Sequence, residues 1–382
     1  MTDDALDGVV CSLPGRYWLR ADYLLWWGSG MKLPPLVSTG VLSSNSTQIL
    51  YGNDTVLDGG RSGYRTTVGT WLDCCHVWDL EFDYLSLGEL DANYTSPNTS
   101  GSTVIMRPFF DVQSNTQSGE LVSSPGLLNG TVSVHAKDYF QSAGVLLSYN
   151  LCSCDGCCTP CDDPCAIPLL NCCRTDLLFG FRYYDLSDYV GITENLTVTG
   201  GTSSVLGTTF LIHDNFNARN QFYGGELGLR TELYRGRWSL NVTTKIALGN
   251  THQTINIAGE EYKTVPNQST QYYNYGIFAG RTNDGSTTAE PWPHPQSRDV
   301  FTIIPQLNLE LGYQMTRHWR AFVGYSILYW GNVIRAADQI DLNVDPRNWP
   351  EQQSGALPFP AFTGKTSSYY AQGLNVGAEF RF

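Results

Sequence analysis

The sequence predicts an all-β fold: an antiparallel up-and-down transmembrane β-barrel of about ten strands, or about twelve if a long loop hides a hairpin. Three observations carry this. Apolar and polar residues alternate with period two, and no stretch shows a convincing helical repeat. The connections alternate between short and long along the chain. Tryptophan gathers at strand ends.

The elements follow in order. Arg16–Trp27 is the first predicted strand, with Arg20 and Asp22 on its polar face. Gly63–Leu72 follows, with Arg65 polar. In Val77–Leu87, Trp78, Leu80, Phe82 and Tyr84 oppose Asp79, Glu81 and Asp83. The fourth is predicted over Lys137–Leu151, with Tyr139, Ala143, Val145, Leu147, Tyr149 and Leu151 on one face. The fifth is Arg174–Leu186, where Leu177, Phe179, Phe181 and Tyr183 oppose Asp176, Gly180 and Arg182. Asn220–Tyr234 sets Tyr223, Leu227, Leu229 and Leu233 against Glu226, Arg230 and Glu232. Arg237–Gly249 sets Trp238, Leu240, Val242, Ile246 and Leu248 against Asn241 and Lys245. Val300–Met315 opposes Leu307, Leu309, Leu311 and Tyr313 to Gln306, Asn308, Glu310 and Gln314, and Trp319–Gly331 carries Arg320 on its polar face. The last, YYAQGLNVGAEFRF, is the clearest: Tyr370, Leu374, Val376, Ala378, Phe380 and Phe382 share one face, and Glu379 and Arg381 the other.

The short connections are Asp73–His76, Arg235–Gly236, Thr316–His318 and a Cys-rich segment; the long ones are about 28–62, 88–136, 187–219, 250–299 and 332–368. Strands running up and down in order put every short turn, and both termini, on one side. Trp18, Trp71, Trp78, Trp238 and Trp319 then lie at the short-turn ends, and Trp26, Trp27 and Trp330 at the opposite ends, as two interfacial belts. Strands of this length have no second apolar layer to pack on, so the broad apolar face is assigned to lipid and the charged face to the lumen. The organisation expected is an N-terminal segment, 1–15, on the periplasmic side, then a single barrel domain, 16–382, with a Cys-rich periplasmic turn at 152–173.

Composition agrees. A net charge of −13 over 382 residues argues against a nucleic-acid partner, since phosphate binding needs clustered Lys and Arg. No apolar run approaches the length of a spanning helix. The opening MTDDALDGVVCSLPG is acidic and lacks the apolar core of a secretory signal. Taken alone, that opening suggests a cytoplasmic protein, with a mature or mis-started chain as the alternative; the bacterial outer-membrane localisation expected from the strand map requires a start codon called too late.

Longer stretches carry a resemblance. GRYWLRADYLLWWGSGMKLPPLVSTG (15–40), RTDLLFGFRYYDLSD (174–188), HDNFNARNQFYGGELGL (213–229), GRWSLNVTTKIALGNTHQTINIAG (236–259), FTIIPQLNLELGYQMTRHWRAFVGYSILYWGNVIRAADQID (301–341) and the final strand resemble, in the same order, a planctomycete family of outer-membrane proteins, the seventh of the putative β-barrel porins. GLNVGAEFRF is similar to the C-terminal assembly signal of such barrels, with Phe380 and Phe382 as its aromatic anchors. The resemblance implies a porin-type channel for passive diffusion of small solutes, embedded in outer-membrane lipid and inserted by the barrel-assembly machinery through its last strand. It implies no catalytic residues and no cofactor.

The residues leave an alternative open. Ten strands make a narrow barrel. The lumen-facing set is Arg20, Asp22, Arg65, Asp79, Glu81, Asp83, Arg182, Glu226, Arg230, Glu232, Lys245, Glu310, Arg320, Glu379 and Arg381. Its signs are nearly balanced, so ion pairs would plug the lumen as readily as line it, giving a structural or surface-display barrel. The Asp79, Glu81, Asp83 ladder favours cations unless Arg65, on the neighbouring strand, neutralises it. MKLPPLV, after the first strand, reads either as a constriction folded into the mouth or as a rigid external loop. A membrane hydrolase is the weaker possibility: His213–Asp214, placed in a loop, is the best acid–base pair, and no nucleophile elbow or zinc-protease motif appears.

Cys11, Cys74, Cys75, Cys152, Cys154, Cys157, Cys158, Cys161, Cys165, Cys172 and Cys173 all fall on the short-turn side. In the periplasm such a cluster reads as disulfides stapling the two Cys-bearing turns; the C-x-C and C-x-x-C spacings keep a metal site as the rival.

Overall fold

The computed structural model describes residues 15–74, 76–97, 102–153, 172–202, 205–279, 296–349 and 359–382. Ten strands close a single antiparallel barrel. They are β1 (Tyr17–Gly28), β2 (Gly60–Trp71), β3 (Trp78–Thr95), β4 (Leu128–Ser153), β5 (Cys172–Val198), β6 (Thr209–Arg235), β7 (Trp238–Thr264), β8 (Gln296–Gln314), β9 (Trp319–Ile334) and β10 (Thr366–Arg381). Each pairs with its sequence neighbour, and β10 returns to β1 from Trp18↔Arg381 to Gly28↔Ala371. No strand edge is left between first and last, which is the condition for a sheet in lipid.

The register stacks outward residues in continuous rows. One row runs Leu19, Val68, Phe82, Val145, Phe181, Gly225, Leu248, Ile303. The outward row four residues further from the short turns reads Tyr23, Tyr64, Ser86, Gln141, Asp185, Gln221, His252, Asp299. The outer wall thus turns from aliphatic to polar over a few residues of strand. Below that change, large apolar side chains cover the outside of every strand. A water-soluble protein would not leave such a continuous apolar surface open.

The wall is asymmetric. β1 and β2 have 12 residues each, whereas β5, β6 and β7 have 27 each. On the long-loop side, strands four to seven run on to Leu128, Val198, Thr209 and Thr264, past their expected stops at Lys137, Leu186, Asn220 and Gly249. Alternation continues past them with its polarity inverted. Within the lower wall of β5, Leu177 and Phe181 face out; further along, Leu186, Val190, Ile192 and Leu196 are buried inside. In β6 the exchange is from Leu227 and Leu229 outside to Ile212, Phe216 and Ala218 inside. The strands leave lipid and continue as a barrel of soluble type, apolar within.

That upper half is filled by the long connections. The segment 88–136 does hold a hairpin, Ile105–Asp111 with Thr116–Ser123, but it does not enlarge the barrel to twelve strands. It lies in the mouth, pairing with Val37–Ser38 and, in parallel, with Asn343–Val344. Met31, Leu33, Leu36 and Val37 are buried beside Ile105, Phe109, Ile192, Phe216, Ile340 and Val344. MKLPPLV therefore folds into the mouth: Met31–Lys32 pairs with Thr55–Val56 and Val37 with Tyr51, and its two prolines separate these short ladders.

Half of the expected tryptophan belts is corrected. Trp78, Trp238, Trp319 and Trp27 do face outward. Trp18, Trp71, Trp26 and Trp330 are buried inside. Each inward indole shares its strand parity with lumen charges, such as Trp18 and Trp26 with Arg20 and Asp22, so strand geometry overrides any preference for the interface.

Candidate functional site in the barrel lumen

The lumen is layered. Nearest the short turns is a lattice of charged side chains, one to three from nearly every strand. Period two aims alternate residues inward, so polar runs such as Asp79, Glu81 and Asp83 converge on one axis. The expectation that Arg65 neutralises this ladder is corrected: three other arginines take it. Arg182 bonds Asp83 at 2.5 and 2.8 Å, Arg230 bonds Glu81 at 2.8 and 2.6 Å, and Arg174 stands 3.9 Å from Asp79. Arg65 instead joins Arg20 on Asp22. The reason is reach, since guanidinium groups span the narrow barrel to carboxylates on distant strands.

Further bridges complete the lattice. Arg20 reaches Glu310 at 2.6 Å, Arg320 lies 3.1 Å from Glu310 and 3.6 Å from Glu379, and Arg381 meets Glu379 at 2.5 Å. Lys245 sits 3.2 Å from Glu226, which also takes Arg182. Glu232 accepts from the Tyr234 hydroxyl and, at 3.2 Å, from Asn241. Every residue of the lumen-facing set lies inside the wall. Between them remains a cavity of about 130 Å³, bordered by Trp18, Trp71, Arg65, Arg230 and Arg320.

Above the lattice lies an apolar stratum. Trp26, Phe140, Tyr184, Phe222, Trp330 and Tyr369 come from six different strands, and none is more than 2% exposed. Ring centroids are 5.4 Å apart for Phe140–Tyr369, 5.8 Å for Tyr184–Phe222 and 5.9 Å for Tyr184–Trp330. Leu24 and Leu328 fill the remainder. The Trp26 indole donates to Asn375 at 2.7 Å, so its polar edge is satisfied.

Next come bridges not expected from sequence. Arg61 binds Asp138 at 2.6 Å, and Arg335, from the loop after β9, binds Asp188. Higher still, Arg107 on the mouth hairpin inserts between Glu194 and Asp214, the latter at 2.7 Å; all three side chains are fully buried. Apart from Asp138, at the expected start of the fourth strand, these groups lie in segments expected to be loops, where period two was not applied. Arg174 was within reach, as it shares parity with Asp176 and Arg182.

His213 and Asp214 are not a pair. Both lie within β6, and successive side chains of a strand point to opposite faces. His213 shares a hydrogen bond of 3.0 Å with Thr193 on one face, while Asp214 takes Arg107 and the backbone N–H groups of Phe278 and Ala279 on the other.

At the short-turn rim, Cys74 is exposed and bonded to no other cysteine among the described residues, and Cys173 is buried. Cys152 and Cys172 belong to β4 and β5. Cys11, Cys75, Cys154, Cys157, Cys158, Cys161 and Cys165 lie outside the described residues. Phe380 stacks against Trp319 and Phe382 at 4.8 and 5.7 Å, and Phe382 against Tyr17 at 5.9 Å, forming an aromatic clamp where the barrel closes. His76 lies on Trp71 at 4.6 Å; burial, then the nearby Arg174 and Arg381 charges, push it below the usual imidazole range.

The family model described as Putative beta barrel porin-7 matches residues 18–382. The chain belongs to that family. Porin-7 membership and the closed ten-stranded wall together make this an outer-membrane-type β-barrel. No curated protein matches the porin-7 chain in sequence. Among solved structures it is similar to the outer membrane protease OmpT from Escherichia coli, at 9% identity over 97% of this chain and 98% of that one, with TM-score 0.42. It is also similar to the P. putida toluene transporter TodX, at 8% identity over 99% and 93%, TM-score 0.22. A Pseudomonas aeruginosa FadL homologue matches at 10% identity over 96% and 90%, TM-score 0.23.

Proposed function

We propose that this porin-family barrel is closed along its axis and works as an outer-membrane scaffold that holds a packed head on the outer surface. The aromatic stratum carries the reading. Six rings from six strands meet with no exposed edge, and an apolar plug caps them. An ion moving along the axis would have to cross a dry, low-dielectric layer, which is strongly unfavourable without partners. The lattice below and the plug above add to the block.

The porin reading keeps one observation in its favour, the charged cavity of about 130 Å³ on the short-turn side. Diffusive transport of small solutes would then require the aromatic stratum to part. Under either reading the short turns face the periplasm, lipid surrounds the apolar rows, and the Phe380–Phe382 strand is the handle for assembly.

Conductance in planar bilayers separates the two. Folded wild-type protein should give no steady channel current. Trp330→Ala combined with Phe222→Ala should introduce flickering current. Steady wild-type conductance would refute the closed-scaffold reading.

A further inference from the structure

The mouth hairpin docks through a group of acids that is short of cations. Arg107 and Glu120 are direct cross-strand partners in the hairpin of Ile105–Asp111 and Thr116–Ser123, so their side chains leave the same face. That face meets Glu194 on β5, Asp214 on β6 and Glu261 on β7, all three buried. Among the described residues, Arg107 is the one cation paired with this group. It holds Glu194 through Oε1, and Asp214 through Oδ2 at 2.7 Å.

Most of the other acceptors have donors. Asp214 Oδ1 takes the backbone N–H groups of Phe278 and Ala279 at 3.0 and 2.6 Å. Glu261 takes the Tyr275 hydroxyl. Glu120 Oε2 and Glu194 Oε2 are left, both buried and neither meeting a donor. The two side chains lie within hydrogen-bond reach of each other. An ionised carboxylate only accepts, so two of them cannot bond, whereas a carboxylic acid can donate to a carboxylate. Burial, then the Glu194 charge, push the Glu120 carboxyl well above the ordinary carboxylate range; Arg107 pulls it down and Glu261 adds to the rise.

We propose that the hairpin is a proton-held lid, in which Glu120 is protonated and donates to Glu194 Oε2 while the hairpin is docked, and loss of that proton to water lets the hairpin lift from the mouth. With the proton gone, two buried carboxylates face each other and the single guanidinium is already shared between Glu194 and Asp214. The sign follows from the raised carboxyl. The docked hairpin keeps a proton that the lifted one, with Glu120 in water at its ordinary value of 4.5, gives up. Docking is therefore tightest in acid and weakens as pH rises from there toward the docked pKa. One proton lost per opening raises the opening constant by up to about tenfold per pH unit in that window. The lid sits above the aromatic stratum and does not depend on whether the lumen conducts.

Hydrogen exchange of the full chain in lipid nanodiscs, read on peptides spanning 105–123 at pH 5.5, 6.5 and 7.5, tests this. Glu120→Gln is the reference, since its amide donates to Glu194 at every pH. Dividing the wild-type rate by the Glu120→Gln rate at each pH cancels the intrinsic pH dependence of exchange. The ratio should rise about tenfold or more from pH 5.5 to 7.5 for 105–123, and stay flat for 174–186 in the lower wall. Glu194→Gln moves the amide to the other partner, and its ratio to Glu120→Gln should also be flat. A flat wild-type ratio over 105–123 overturns the proposal. So does a Glu120→Gln hairpin that exchanges faster than wild type at every pH, or a Glu194→Gln slope equal to that of wild type. Heat-modifiable mobility on gels confirms that each variant is folded.

Discussion

Replacing Arg182 by Met should be among the most damaging single changes in the wall. Arg182 is 2% exposed and donates five hydrogen bonds: to Glu226 at 3.1 and 2.7 Å, to Asp83 at 2.5 and 2.8 Å, and to Ser142 at 3.3 Å. With Lys245 at 3.2 Å from Glu226, the group is two cations against two carboxylates. Removing the guanidinium leaves both carboxylates to one ammonium, and Asp83 without a direct partner. Breaking a buried pair from one side costs about 3–5 kcal/mol. The near-equal volume of Met keeps the cavity contribution small. At about 4 kcal/mol the folding equilibrium shifts nearly a thousandfold. The assay is urea unfolding in lipid vesicles, followed by tryptophan fluorescence. The control is Arg182→Met with Asp83→Asn, which leaves Lys245 and Glu226 as a neutral pair. It should recover about 2 kcal/mol or more. A single variant within about 1 kcal/mol of wild type, or a double no better than the single, would refute the charge-balance argument.

Three further outcomes are expected. Arg107→Leu strands Glu194 without its ion pair and should release the 105–123 hairpin, read as faster hydrogen exchange there with β1–β3 unchanged; uniform protection would count against the latch. His76 has a folded pKa held below its unfolded value of about 6.5, so the unfolded chain binds more protons in that window and stability falls as pH drops through it. Unfolding at pH 7.5 and 5 should therefore differ more for wild type than for His76→Gln, and parallel losses would refute the role of His76. Cys74 should react with maleimide without reductant; the disulfide staple then requires other cysteines that label only after reduction, and equal labelling in both states would remove it.

Strand order and number were legible because lipid outside and ion pairs inside enforce period two on every strand. The inward direction of the charged set followed from the same parity. What the reading lost, it lost where a second rule displaced parity. Trp18, Trp26 and Trp330 were assigned by residue type to the interface, although each shares parity with Arg20, Asp22 or Arg320 and so had to point inward. The ends of β4 to β7 were placed where the apolar face seemed to stop. It had changed sides: Val132, Val134 and Ala136 take up inside β4 what Val145 and Tyr149 leave off outside. The partner of each lumen charge was not legible, because a guanidinium crosses the barrel and cross-barrel distance is not written in sequence spacing. Arg107 was unreadable for the same reason, since its value comes from a hairpin docking onto strands far along the chain.

The mouth sheet sets an order on assembly. Val37–Ser38 comes from the first long connection, the hairpin strand Ile105–Asp111 from the second, and Asn343–Val344 from the last. Contacts between such distant parts of a chain form late, after the loop-closure entropy between them has been met. The head core thus stays incomplete until the chain between β9 and β10 arrives, when the wall itself is about to close. A chain cut before that connection would keep most of its wall strands and lack the piece that finishes the plug. The connection that completes the cap is thus also the one that leads into the strand that closes the cylinder.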